Sequence, residues 1–194
     1  MICETCLDTR TRVAEVTGLM SKKHVDLENG TISIAQRNWR GDIDVPKTPK
    51  TMRVLALGAL TPRYKAWIEK SPRDGPNAWV FPNEEDLFKP RWDSGVRQVL
   101  KRATRARKEN AKDKNDPGLD FPGFGPHALR RANTTWRQEV GSSLEASIIA
   151  GHSDVRTTPE YTMVPLKRQE ELTRHVQAKR AGKVVEIKNN KTAA

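Results

Sequence analysis

The sequence predicts an α+β fold, mainly α-helical, built around a small antiparallel sheet of about three strands. The first observation is the Asn29-Gly30 pair, which ends Val25-Asp26-Leu27-Glu28 and precedes the period-two run Thr31-Ile32-Ser33-Ile34. Such a pair is a strong hairpin signal, because the central residues of a tight hairpin turn take positive φ. The second is another strand-like run, Met52-Arg53-Val54-Leu55-Ala56-Leu57, after a polar connection containing Gly and Pro. The third is a set of longer stretches in which apolar residues recur at helical spacing between start and stop signals. At 194 residues the chain suffices for one domain with a real core and barely for two.

Taken in order, Met1 to Gly18 reads as one helix, with Ile2, Val13 and Val16 apolar and Gly18 as its stop. The hairpin and third strand follow. Thr61-Pro62 is an N-cap with proline at the first helical position, and Tyr64, Trp67 and Ile68 give that helix its apolar face until Ser71-Pro72. Arg73 to Pro90 is punctuated by Gly75, Pro76 and Pro82 and reads as loop, with a short extended piece at Trp79-Val80-Phe81. From Trp92 onward Val96, Val99, Leu100 and Ala103 recur at helical spacing, while Arg97, Lys101, Arg102, Arg105, Arg107 and Lys108 load the other faces. Glu109 to Gly123 reads as loop, Ala128 to Val140 as helix and Gly141 as its stop. Ser142-Ser143-Leu144-Glu145 is a capping-box pattern opening a short helix through Ile148 and Ile149 to Gly151. Thr158-Pro159 starts another helix with Tyr161 in its first turn. Leu166 to Lys179 is a basic helix with Leu172 and Val176 apolar, and Val184 to Ile187 a short strand.

Lys and Arg outnumber Asp and Glu by 35 to 24, a formal net charge of +11, so a polyanion is the natural partner. The basic helix offers phosphate contacts through Arg97, Lys101, Arg102, Arg105 and Lys108, each releasing a counterion on binding DNA. No apolar run approaches the ~18 residues of a membrane span, and the N-terminus lacks a signal-peptide pattern; the expected location is cytoplasmic. Cys3 and Cys6 form a C-x-x-C with no second Cys or His pair at finger spacing, and read as plain thiols. The dense acidic run Glu84-Glu85-Asp86 lies in a Pro-flanked loop without a histidine, unlike the carboxylate cluster of a two-metal nuclease.

The chemistry-bearing residues concentrate between His127 and Tyr161. His127-Ala128-Leu129-Arg130 is an H-x-x-R, Gly151-His152-Ser153 follows, and Thr157-Thr158-Pro159-Glu160-Tyr161 places a tyrosine nine residues after His152. This order resembles the tyrosine recombinases, the phage-type integrases, whose pattern runs H-x-x-R, then G-H, then T-T-x-x-Y. Upstream, Thr9-Arg10-Thr11-Arg12-Val13-Ala14-Glu15 resembles the family's T-G-x-R-x-x-E, with Arg10 in the glycine's place. If that glycine takes a positive φ, Arg10 strains the turn before Arg12. Pro46-Lys47-Thr48 resembles the family's K-T at a hairpin tip, with Lys50 close enough to compete.

The resemblance implies the tyrosine recombinase catalytic fold and a reaction without metal or other cofactor. Arg12 and Arg130 would neutralise a phosphodiester and, through forked donors, a five-coordinate phosphorus. His127 and His152 would donate hydrogen bonds to a nonbridging oxygen, and Glu15 would hold Arg12 in place. Tyr161 would attack phosphorus to form a 3′-phosphotyrosyl link, while Lys47 protonates the departing 5′-oxygen. The implied partner is double-stranded DNA, acted on by a homotetramer, and the implied source is a bacterium, phage or mobile element. Residues 1–165 would form the catalytic domain, with the family's N-terminal core-binding domain absent; 166–194 would be a helix and basic tail that docks on a neighbouring protomer. Two other readings share these features: a noncatalytic DNA-binding remnant or regulator, and a type IB topoisomerase.

Overall fold

The computed structural model describes residues 1–45, 52–111, 124–142, 145, 148–149 and 164–182. The predicted class holds, and the sheet is central to it. Strands β1 (Val25–Asp26), β2 (Thr31–Ile34) and β5 (Arg53–Ala56) form a three-stranded antiparallel sheet in the order β1-β2-β5, with Ile32 opposite Leu55 and Ile34 opposite Arg53. The β1–β2 hairpin forms as expected, though through a four-residue loop in which only Gly30 takes the positive φ, at 61°, while the Asn29 N–H donates to Asp26 Oδ1 at 2.9 Å. Period two sends Ile32, Ile34 and Leu55 into the core, where Val16, Leu60, Tyr64 and Phe81 meet them.

Several expectations need correction. Residues 1–18 are not one helix but two, α1 (Ile2–Thr9) and α2 (Val13–Thr17), because Arg10 takes a left-handed conformation that ends α1. The polar connection after β2 contains a second hairpin, β3 (Arg37–Trp39) and β4 (Asp42–Asp44), turning through Arg40 at φ 53° and Gly41 at φ 101°. Thr61 is the first residue of α4 (Thr61–Glu69) rather than its cap, and its hydroxyl donates 2.9 Å back to the Gly58 carbonyl. In α5 (Asp93–Glu109), Val96 and Leu100 are buried but Val99 and Ala103 are exposed, so the apolar stripe is narrower than its spacing implies. This helix also runs on through Glu109, one of the residues expected in a loop.

Helix α6 (Pro126–Gln138) starts two residues earlier than expected, with proline in its first turn, and therefore carries His127 as well as Arg130. The capping box after it forms as its pattern requires: the Ser142 N–H donates to Glu145 Oε2 at 2.8 Å, and the Glu145 N–H donates to Ser142 Oγ at 3.1 Å. Helix α7 (Leu166–Arg180) buries Leu172 and Val176 completely in the same core. Its Gln177 amide donates to the Leu57 carbonyl at 3.0 Å, and Arg180 pairs with Asp8 at 3.1 Å, tying α7 to the sheet and to α1. The short helix before α3 (Ser21–His24) ends at Gly18, and beyond it Trp79 pairs with Met20 in an isolated bridge while the Val80 N–H donates to the Leu19 carbonyl at 2.9 Å, so the extended 79–81 piece lies along the link between α2 and α3. The expected features at Gly151, Thr158-Pro159 and Val184 to Ile187 lie outside the described residues.

Candidate active site

The site begins with the break between α1 and α2. Arg10 holds φ 61° and ψ 22°, the positive φ that makes glycine the easy residue there. A non-glycine residue pays about 1–2 kcal/mol for it. That cost is met by a tertiary contact: Arg130 Nη1 donates to the Arg10 carbonyl oxygen at 2.5 Å. Arg12 then caps α2 in an extended conformation, and its N–H donates to Glu15 Oε2 at 2.8 Å.

Arg130 belongs to a buried polar stripe on α6. Asn133 Nδ2 donates to the Leu7 carbonyl at 2.5 Å and to that of Asp8 at 3.0 Å, and Arg137 Nη2 donates to the Asp8 carbonyl at 2.8 Å. Residues 130, 133 and 137 share one helical face. Together they satisfy the carbonyls that the end of α1 leaves without helical partners. The C-terminus of α1 is thus docked onto α6, and the docking sets Arg12 beside Arg130. Burial, then the neighbouring charge of Arg12, pushes the Arg130 guanidinium down to about 10, which leaves it cationic at neutral pH.

Behind Arg12 stands a second arginine that the sequence reading did not single out. Arg53 on β5 donates to Glu15 Oε2 at 2.9 Å and to Oε1 at 3.3 Å, while Arg12 Nη1 reaches Oε1 at 3.2 Å. One carboxylate therefore orients two guanidinium groups. Burial alone would raise the Glu15 carboxyl, but Arg53 and then Arg12 hold it below its usual value. Arg53 Nε also donates to the Ile149 carbonyl at 3.0 Å, three residues before His152. A signal existed: Arg53 shares the core-facing side of its strand with Leu55, and a charge on that side requires a partner.

Replacing Arg53 with Met should cost about 1–3 kcal/mol of stability, because it leaves a buried carboxylate only the half-exposed Arg12 as its ionic partner. Glu15 is depressed in the folded chain, so its pairing stabilises above the unfolded pKa and is lost as pH falls through the folded one. Without Arg53, Arg12 alone opposes the effect of burial, and the Glu15 carboxyl rises relative to the unsubstituted chain. The acid limb of any activity depending on Arg12 should then move to higher pH, a shift that a pH–rate profile reads separately from lost stability.

These elements open onto a cleft of about 140 Å³ lined by Thr11, Arg12, Val13, Ala14, Trp39, Asp93, Arg97, Pro126, His127 and Arg130. Arg12 and His127 are exposed to it, while Arg130 is only 8% exposed. Two guanidinium groups and an imidazole facing one opening suit a phosphate-sized anion, which a forked donor can grip at two oxygens. The structure thus brings together Arg12, His127 and Arg130, with Glu15 behind and Arg97 on the wall. Arg97 is held by Asp93 at 3.1 Å, and Arg105 by Glu109 at 2.7 Å; Lys101, Arg102 and Lys108 stand on exposed faces of α5. Lys47, Lys50, His152 and Tyr161 lie outside the described residues. Among the described residues, no group of three or more His, Cys, Asp or Glu side chains is placed to hold a metal ion, and no helix is long and apolar enough to cross a membrane.

A sequence profile of the phage integrase family matches residues 1–168. No curated protein matches. Among solved structures, the Tn1549 transposon integrase in complex with circular intermediate DNA is 19% identical, with a TM-score of 0.65 over 89% of this chain and 57% of that one. A second complex of that integrase with circular intermediate DNA is 18% identical, with a TM-score of 0.66 over 92% and 58%. A third, with transposon right end DNA, is 20% identical, with a TM-score of 0.64 over 93% and 57%. This chain therefore spans a little over half the length of the solved chains whose fold it shares.

Proposed function

The chain belongs to the phage integrase family, and from that premise we propose that it is the catalytic domain of a tyrosine-type site-specific DNA recombinase. The observation that carries the reading is the convergence of Arg12, Arg130 and His127 on one cleft, with Arg130 fixed by its bond to the Arg10 carbonyl and Arg12 by Glu15.

A phosphodiester seated there would be neutralised by the two guanidinium groups. As a nucleophile adds, the same forked donors meet the extra negative charge of the five-coordinate phosphorus. His127 donates to a nonbridging oxygen, and His152 is assigned the same role through its motif. The Tyr161 oxygen bonds to phosphorus as the bond to the 5′-oxygen breaks, and the leaving oxygen takes a proton from Lys47. The resulting 3′-phosphotyrosyl ester retains the bond energy, so a 5′-hydroxyl from another strand reverses the step and joins it. The basic faces of α5 track the flanking phosphates. Action as a homotetramer on double-stranded DNA in the cytoplasm, with 166–194 coupling protomers, belongs to the same reading.

Incubation with a nicked duplex carrying a mobile-element end tests it, because loss of the short strand beyond the nick prevents religation. A detergent-resistant protein–DNA adduct is the expected product; tight DNA binding without any adduct would favour the noncatalytic alternative. The acid is tested separately with a 5′-bridging phosphorothiolate, whose leaving group needs little proton donation. Lys47→Ala should cleave it nearly as fast as the unsubstituted chain while being crippled on ordinary DNA. Equal defects on both substrates would remove Lys47 from that role and turn the test to Lys50.

A further inference from the structure

The β3–β4 hairpin is anchored on one side and bare on the other. Asn38, fully enclosed, donates to the Thr17 hydroxyl at 3.3 Å and to the Arg91 carbonyl at 3.0 Å, and accepts from the Gly41 N–H at 2.8 Å. These bonds pin the hairpin against α2, whose cap is Arg12. Period two then turns Trp39 outward, where its side chain lines the cleft beside Arg12, Arg97, His127 and Arg130 while remaining 56% exposed. Arg40 lies 5.7 Å over the indole ring, and its φ of 53° keeps it beside that ring at the turn. Nothing in the described fold needs an indole there: Trp39 belongs neither to the core nor to the phosphate-gripping set.

We propose that this hairpin is a nucleotide-packing element, in which Trp39 stacks on a base next to the phosphate held by Arg12 and Arg130 while Arg40 meets the adjoining backbone phosphate. The inference rests on the DNA-cleaving reading of the cleft. Charge complementarity selects the occupant, since Arg12, Arg40, Arg97 and Arg130 surround the indole against one carboxylate, Asp93, which Arg97 already pairs. A flat aromatic among cations matches the alternation of base and phosphate along a strand. Stacking is tolerant of base identity, so Trp39 would contribute position and affinity rather than sequence selection. It would favour a base already loosened from its neighbours, and a strand break beside the held phosphate provides one.

The test walks 2-aminopurine along a nicked duplex and reads its fluorescence in a Tyr161→Phe background, so that chemistry plays no part. One position flanking the held phosphate should be quenched; Trp39→Phe should retain most of the quench, and Trp39→Ala should abolish it and weaken binding about tenfold. An abasic residue at the quenched position should weaken binding as much as Trp39→Ala does, and combining the two should add little. Additive losses, or an alanine variant that quenches and binds like its parent, would overturn the proposal. Failure of the Tyr161-containing chain to form any adduct would instead overturn the recombinase reading, leaving the stacking result to stand or fall by its own measurements.

Discussion

Tyr161→Phe is expected to abolish covalent attachment to DNA while leaving DNA affinity within a few fold. The substitution removes one oxygen and no charge, so the phosphate contacts proposed for Arg12, Arg130 and the basic faces of α5 would be unaffected. What disappears is the only atom of that side chain able to bond to phosphorus. A phenol is a weak nucleophile at its unperturbed pKa of about 10, so the reaction relies on a cationic environment to ease loss of its proton. That environment persists in the variant with nothing to activate. Equilibrium binding and adduct formation on the same nicked duplex separate the two effects. A phenylalanine variant that still becomes covalently linked would remove Tyr161 from the mechanism.

Arg130→Lys should lower strand cleavage by about 10²–10³-fold, and Arg130→Ala by at least as much. Lysine restores the charge but not the fork: a compact ammonium cannot hold two oxygens of a phosphorane in one plane. The structure adds a second consequence. Arg130 also satisfies the carbonyl of Arg10, a residue in the left-handed region whose position sets Arg12. Alanine removes that bond as well and should cost about 1–3 kcal/mol of stability, because the buried carbonyl is left unpaired. Single-turnover cleavage beside a thermal unfolding curve resolves the two roles. A lysine variant as fast as the unsubstituted chain would mean that charge alone suffices.

What was legible in the sequence was local. Asn29-Gly30 marked its hairpin because the loop closes within a few residues, Gly30 at positive φ and Asn29 bonded back to Asp26, and Ser142 with Glu145 specified a capping box over an equally short span. His127 and Arg130 could be placed on one helix because three residues make nearly one turn. What was not legible was set by distant partners. The turn at Arg10 was suggested only by the family's glycine at that place, and the donor that meets its carbonyl lies 120 residues later. Asn133 and Arg137 of α6 look solvent-facing in the sequence until the unpaired carbonyls of α1 are set against them. The β3–β4 hairpin turns through Arg40-Gly41 rather than Asn-Gly, between strands of three residues each, too short for a period to stand out. Its anchor is one asparagine, and Trp39 gains meaning only from the cleft it faces.

The most direct measurement of the central claim is the chemistry of the adduct itself. After the protein–DNA product from a nicked duplex is digested with protease and nuclease, mass spectrometry should find one modified peptide, bearing Tyr161 and joined through its phenolic oxygen to the 3′-phosphate of a nucleotide. A nucleotide joined through its 5′-phosphate, or carried by any residue other than Tyr161, would contradict the account.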